Sequence, residues 1–111
     1  MRIDKELMKG STVILILNLL NRRPMYGYEM VKEIEKLSSG IFTFKEGTLY
    51  PILHGLESER FLESYWWEDK GARKRKYYRI TENGKHLLKE KQKEWVTFRT
   101  AVDQVLVEGR A

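Results

Sequence analysis

Lys70-Gly71-Ala72-Arg73-Lys74-Arg75-Lys76-Tyr77-Tyr78-Arg79 holds six basic residues in ten positions, no acidic one, and two adjacent tyrosines. The run lies between and into two stretches that read as strands, Phe61–Trp67 and Lys76–Ile80, so it forms the tip and returning arm of a β-hairpin. Cations gathered on a hairpin tip suit the phosphates of a nucleic acid. Arg73, Lys74 and Arg75, nearest the tip, are the expected contacts. Tyr77 and Tyr78 must point to opposite faces of their strand, one toward the core and one outward; Tyr77 is kept as a DNA-side candidate. The same alternation predicts that one of Trp66 and Trp67 is buried and the other more exposed.

Outward from the hairpin, three helices precede it and one follows. Leu7, Val13, Ile14, Leu17 and Leu20 predict a first helix over Lys5–Asn21, and Ile16 and Leu19 widen its apolar stripe almost all round. Arg22-Arg23-Pro24 ends it. Met30, Val31, Ile34 and Leu37 mark a second helix over Tyr26–Ser38, closed by Ser38-Ser39-Gly40. Ile41–Phe44 alternates weakly and is a candidate short strand. Leu49, Leu53 and Leu56 mark a third helix over Gly47–Arg60, with Pro51 placed in its first turn and Thr48 as its candidate N-cap. Thr81 caps a long last helix over Glu82–Val107. On it Leu88, Trp95, Phe98, Val102 and Val105 follow a heptad seam in which Lys91 fills one slot.

The order helix, helix, helix, strand, basic turn, strand, long helix is that of a winged helix-turn-helix. The fold class is mainly α with a small β-hairpin and a long C-terminal dimerisation helix. Residues 1–80 form the expected DNA-binding domain, its first helix also contributing to dimerisation, and residues 81–111 the dimerisation helix. In a winged helix the third helix enters the major groove while the hairpin touches the backbone or minor groove. Thr48, Tyr50 and His54 lie off the Leu49-Leu53-Leu56 core face and are the candidate contacts there. Tyr26 and Lys32 are candidates near the second helix. The expected dimer surface is Leu7, Val13, Leu88, Trp95, Phe98, Val102 and Val105.

Bulk properties agree with this reading. The chain has 111 residues, which suits one small domain, and its net charge of +5 favours an anionic partner. It has no cysteine, hence no disulfide and no thiolate metal site. The apolar run Val13–Leu20 is far short of the ~20 residues that span a bilayer, and Asp4 and Glu6 stand where a signal peptide would be positive. A cytoplasmic protein without a membrane partner is expected. His54 and His86 are isolated, so no metal and no cofactor is expected. There is no Ser-His-Asp arrangement and no glycine-rich phosphate loop, so no enzyme is expected.

Three motifs go further. Met25-Tyr26-Gly27-Tyr28-Glu29, then Glu46-Gly47-Thr48-Leu49-Tyr50-Pro51-Ile52-Leu53-His54-Gly55-Leu56-Glu57, then Arg73-Lys74-Arg75-Lys76-Tyr77-Tyr78-Arg79-Ile80-Thr81-Glu82-Asn83-Gly84 together resemble the PadR family of bacterial transcriptional regulators. With a single C-terminal helix, the chain looks like the short subfamily, which includes a lactococcal multidrug-binding repressor. The resemblance implies a homodimeric repressor of double-stranded DNA that grips a pseudo-palindromic operator. It also implies a small planar aromatic effector held near Trp95, Asn18, Leu88 and Arg99, with Arg99 standing where the drug-binding relative carries an acid. Two other classes stay open on the residues alone: a protein-interaction adaptor, and an RNA-binding winged helix without operator binding.

Overall fold

The computed structural model describes residues 3–68, Gly71 and residues 73–108. Lys70 and Ala72 of the basic run lie outside these residues, as do the first two and last three positions of the chain. The order along the chain is α1 (Lys5–Lys9), α2 (Thr12–Arg22), β1 (Met25–Tyr26), α3 (Gly27–Leu37), α4 (Glu46–Ser58), β2 (Leu62–Trp67), β3 (Arg75–Ile80) and α5 (Glu82–Glu108). The fold is thus mostly helical, with a small antiparallel sheet and a long last helix.

The expected first helix is two. Gly10-Ser11 interrupts it: the Ser11 N–H turns back to the Met8 carbonyl (2.9 Å), and the Thr12 hydroxyl donates to the same oxygen (3.0 Å). Local bonds of this kind compete with helix continuation, and glycine makes the break cheap. The apolar stripe then resumes in α2, whose Ile16, Leu17, Leu19 and Leu20 are buried.

The sheet has the order β1-β3-β2. β1 is only Met25–Tyr26, paired with Tyr78 and Tyr77, and was not legible as a strand. Ile41–Phe44, the candidate strand, is not one; Phe42 and Phe44 instead pack against the core from coil. β2 and β3 pair from Leu62↔Ile80 to Trp67↔Arg75, which is the expected hairpin.

α4 starts at Glu46, with Lys45 at its N-cap and no side-chain cap. Thr48 therefore lies inside the first turn rather than at the cap, and Pro51 falls in the second turn rather than the first. Its missing N–H leaves the Gly47 carbonyl without the usual helical partner. The other end of α4 closes on Arg60, at φ +64°, with Arg60 N–H bonded to Glu57 O (3.0 Å) and Phe61 N–H to Leu56 O (2.9 Å). This paired closure turns the chain sharply into β2.

The core gathers Ile16, Leu17, Leu20, Met25, Met30, Ile34, Leu49, Leu53, Leu62, Tyr78 and Leu88 from every main layer. Leu88 was expected on the dimer face and in the effector pocket. It is instead 3% exposed inside the chain's own core, because the first turns of α5 still lie against α2. Beyond Gln92 the α5 side chains described are exposed. At ~1.5 Å per residue its 27 residues span about 40 Å, within a molecule 62 × 31 × 21 Å in extent.

Candidate nucleic-acid interface

The β3–α5 joint is built on one threonine. The Thr81 hydroxyl accepts from Gly84 N–H (3.0 Å), as the N-cap reading predicts, and donates to the Arg60 carbonyl (2.7 Å). Thr81 N–H donates to Phe61 O (3.1 Å). A Cβ on Gly84 would stand 2.2 Å from that Phe61 oxygen and 2.6 Å from Ile80 Cγ1, so only glycine admits this approach. The joint fixes α5 against the root of the hairpin.

A second clamp sets the hairpin against α4. The half-buried Glu57 of α4 accepts from the Ser64 hydroxyl of β2 and pairs with Lys76 of β3 at 3.8 Å. Beneath it lies Tyr78, wholly buried. Its hydroxyl has no hydrogen-bond partner among the described residues. Burial, with smaller contributions from Glu57 and Tyr50, pushes its pKa up to about 12.

With hairpin and helix so held, α4 turns Leu49, Leu53 and Leu56 inward and leaves Thr48, Tyr50 and His54 exposed. The Tyr50 and His54 rings lie 6.4 Å apart, tilted by 49°. Tyr50 is also a packing residue: a Cβ on Gly27, at the start of α3, would stand 2.9 Å from its hydroxyl. The side chain is thus exposed and also packs against the start of α3. Lys32 is exposed on α3, its ammonium 5.4 Å from the Tyr28 ring centre.

The outer face of the sheet carries a row that the sequence reading missed. Tyr26 of β1, Tyr77 of β3 and Tyr65 of β2 lie side by side, with ring centres 5.3 Å and 5.8 Å apart. The Arg75 guanidinium sits over Tyr26 at 4.5 Å and that of Arg79 over Tyr65 at 5.1 Å. Tyr26 is therefore a seat for Arg75 as much as a surface residue, since a cation over an aromatic face is held there electrostatically. Tyr77 is half-buried within this row, and burial raises its pKa. Alternation alone puts Arg75, Tyr77 and Arg79 on one face of β3; the strand register brings Tyr26 and Tyr65 beside them.

The cations of the run divide by partner. Lys76 pairs with Glu57, and Arg79 with Glu63 at 3.6 Å. Among the described residues no carboxylate forms an ion pair with Arg73, Lys74 or Arg75, all three exposed. Trp66 and Trp67 are both exposed, at 66% and 54%, against the expectation that one is buried. Their rungs, Trp66↔Lys76 and Trp67↔Arg75, lie past the two residues that β1 pairs with β3.

Far from this face, α5 exposes Trp95, Phe98, Val102 and Val105, with Trp95 stacked on Phe98 at 6.3 Å. Leu7 of α1 is exposed too, while Val13 and Asn18 of α2 are half-buried and Arg99 is exposed. Among the described residues no helix is long and apolar enough to cross a membrane, and no cluster of His, Asp or Glu could hold a metal.

A helix with an exposed polar face, clamped beside a hairpin that bears exposed cations, is the arrangement of a winged helix. A family profile described as the transcriptional regulator PadR-like family matches residues 16–90. The chain belongs to that family. Protein X of Lysinibacillus sphaericus is 36% identical to this PadR-like chain over 107 residues, covering 96% of the chain and 97% of the relative. The transcriptional regulator YqjI of Escherichia coli is 32% identical over 85 residues, covering 77% of the chain but only 39% of that longer protein. Among solved structures, a transcriptional regulator from Clostridium thermocellum matches with a TM-score of 0.84 and 32% identity, covering 92% of this chain and 96% of that one. A PadR family regulator from Eggerthella lenta matches at 0.78 and 38%, covering 91% and 86%. The winged-helix expectation and the PadR resemblance both stand. This PadR-like chain is thereby placed among regulators of transcription.

Proposed function

We propose that the chain is a homodimeric repressor that grips a pseudo-palindromic operator in double-stranded DNA. Residues 1–80 make the DNA contacts and residues 81–111 hold the dimer. The observation that carries this reading is the pairing of two opposed surfaces. One presents Thr48, Tyr50 and His54 beside Arg73, Lys74 and Arg75. The other is the bare apolar stripe of Trp95, Phe98, Val102 and Val105 on a helix that leaves its own domain. A second copy covers that stripe, aided by Leu7, and sets two α4 helices about one or two DNA turns apart, at ~10 base pairs per turn. Arg73 and Lys74 touch phosphates, and Arg75, seated on Tyr26, joins them with Tyr77 behind it. Lys32 adds a flanking phosphate contact. α4 offers no Arg or Asn for bidentate base reading, so selectivity rests on few contacts and on DNA shape.

The stacked, exposed Trp95–Phe98 pair favours a second element of the reading. Across a two-fold axis, with Asn18 and Arg99 at the edges, it offers flat aromatic walls to a small planar aromatic effector whose binding releases DNA. Leu88 is not part of this pocket. Footprinting on the region upstream of the chain's own gene, with light scattering on the free protein, tests the whole reading. A protected two-fold site and a dimer at micromolar concentration are expected. A monomer, or protection without two-fold symmetry, contradicts it.

A further inference from the structure

The distal rungs of the hairpin carry two indoles that the fold does not use. β1 pairs with β3 only at Tyr77 and Tyr78, so the next rungs, Trp66↔Lys76 and Trp67↔Arg75, belong to a two-stranded ribbon. Alternation puts the two indoles on opposite faces of that ribbon. Both are more than half exposed, although large aromatics ordinarily find cover. Each stands directly across the strand from a cation, at the close spacing of cross-strand neighbours.

We infer that Trp66 and Trp67 are DNA-contacting residues, one on each face of the wing, packed against the deoxyribose walls of the minor groove. The inference rests on the reading of the hairpin as a DNA-contacting wing. Two features select duplex DNA as the occupant. The indoles are continuous with the exposed cations Arg73, Lys74 and Arg75, so a backbone that meets those charges runs past the rings. That backbone also alternates an anionic phosphate with an apolar sugar, which matches the exposed cations Arg73 and Lys74 followed along the hairpin by two exposed indoles. The indole N–H can donate to a phosphate oxygen or to the acceptors that line the minor groove. Sequence-dependent groove width then becomes readable by the wing through steric fit rather than charge.

The test uses the parent protein, with a Trp66→Phe/Trp67→Phe double variant supplying the Trp95 share of the emission for subtraction. A fluorescein-labelled mixed-sequence duplex at low salt reports binding by anisotropy, while acrylamide quenching reports indole access in parallel samples with unlabelled duplex. On binding, the indoles are expected to become shielded from acrylamide. Trp66→Ala and Trp67→Ala should each weaken binding about fivefold or more, as for a buried interface aromatic. The slope of log K against log salt should stay unchanged, since no charge is removed. Trp66→Phe and Trp67→Phe should recover part of the loss, and unchanged circular dichroism in the alanine variants separates lost contact from lost fold. If anisotropy rises while quenching and both alanine variants stay at parent values, the inference is overturned and the cationic wing stands. If anisotropy does not rise at all, DNA binding itself fails and the inference falls with it.

Discussion

The hydroxyl of Tyr50 lies 2.9 Å from the point where a Cβ on Gly27 would stand, so the second turn of the candidate recognition helix rests on the first residue of the helix before it. Two separate motifs, Tyr26-Gly27-Tyr28 and Thr48-Leu49-Tyr50-Pro51, meet at this single approach. The absent side chain at Gly27 makes room for the ring and thereby sets the angle at which α4 presents Thr48 and His54.

Gly27→Ala should therefore displace Tyr50 and weaken duplex binding, with no gain in stability despite alanine's better helix propensity. In a Tyr50→Ala background the clash is gone, and the same change should stabilise by up to about 1 kcal/mol. Thermal unfolding of the four proteins in this double-mutant cycle measures the coupling. Additive effects would mean that the two residues do not bear on one another.

The β3–α5 joint should be far less forgiving. Gly84→Ala drives a methyl into the Phe61 carbonyl, which is backbone and cannot swing aside. A loss of about 3 kcal/mol or more is expected, beyond ordinary overpacking. Thr81→Ala removes the N-cap and the bond to Arg60 O, at about 1–2 kcal/mol, and Thr81→Ser should restore most of it. Chemical denaturation measures both.

Tyr78 gives stability a definite alkaline limit. Its folded pKa of about 12 lies above the ordinary 10.0, because burial disfavours the phenolate. Between those values the unfolded chain has released the proton while the folded chain keeps it. Stability is thus fully present below pH 10 and falls as pH rises toward 12. Tyr77, also raised by burial, acts in the same direction. Tyr78→Phe should flatten the decline. At neutral pH it should cost little or even stabilise, since the hydroxyl lost has no partner among the described residues. Urea denaturation from pH 7 to 11.5, a range chosen to bracket the ~10 reference value, shows whether the variant differs in slope.

Strong periodicities made most of this legible. The hairpin was marked by charge and alternation, the buried faces of α3 and α4 by apolar spacing, and the α5 cap by Thr81. What escaped depended on three-dimensional neighbours. β1 is two residues long, too short for any period, and exists because β3 offers it an edge. The α1–α2 break turns on local bonds at Met8. Leu88 obeys the heptad of α5, yet α2 covers it first. Trp66 and Trp67 obey strand alternation, but their rungs lie past the reach of β1 and both indoles stay exposed. At the site, Arg73, Lys74, Arg75, Thr48, Tyr50 and His54 were readable as exposed polar groups. The Tyr26–Tyr77–Tyr65 row and its seated arginines needed the strand register.

The salt dependence of duplex binding bears most directly on the proposed wing and its exposed cations. Each phosphate neutralised contributes ~0.9 to the slope of log K against log salt. The double variant Arg73→Ala/Arg75→Ala should lower both affinity and slope, the latter by about 1.8 for each wing engaged. An affinity and a slope equal to those of the parent protein would contradict the assignment of this hairpin as the DNA-gripping wing.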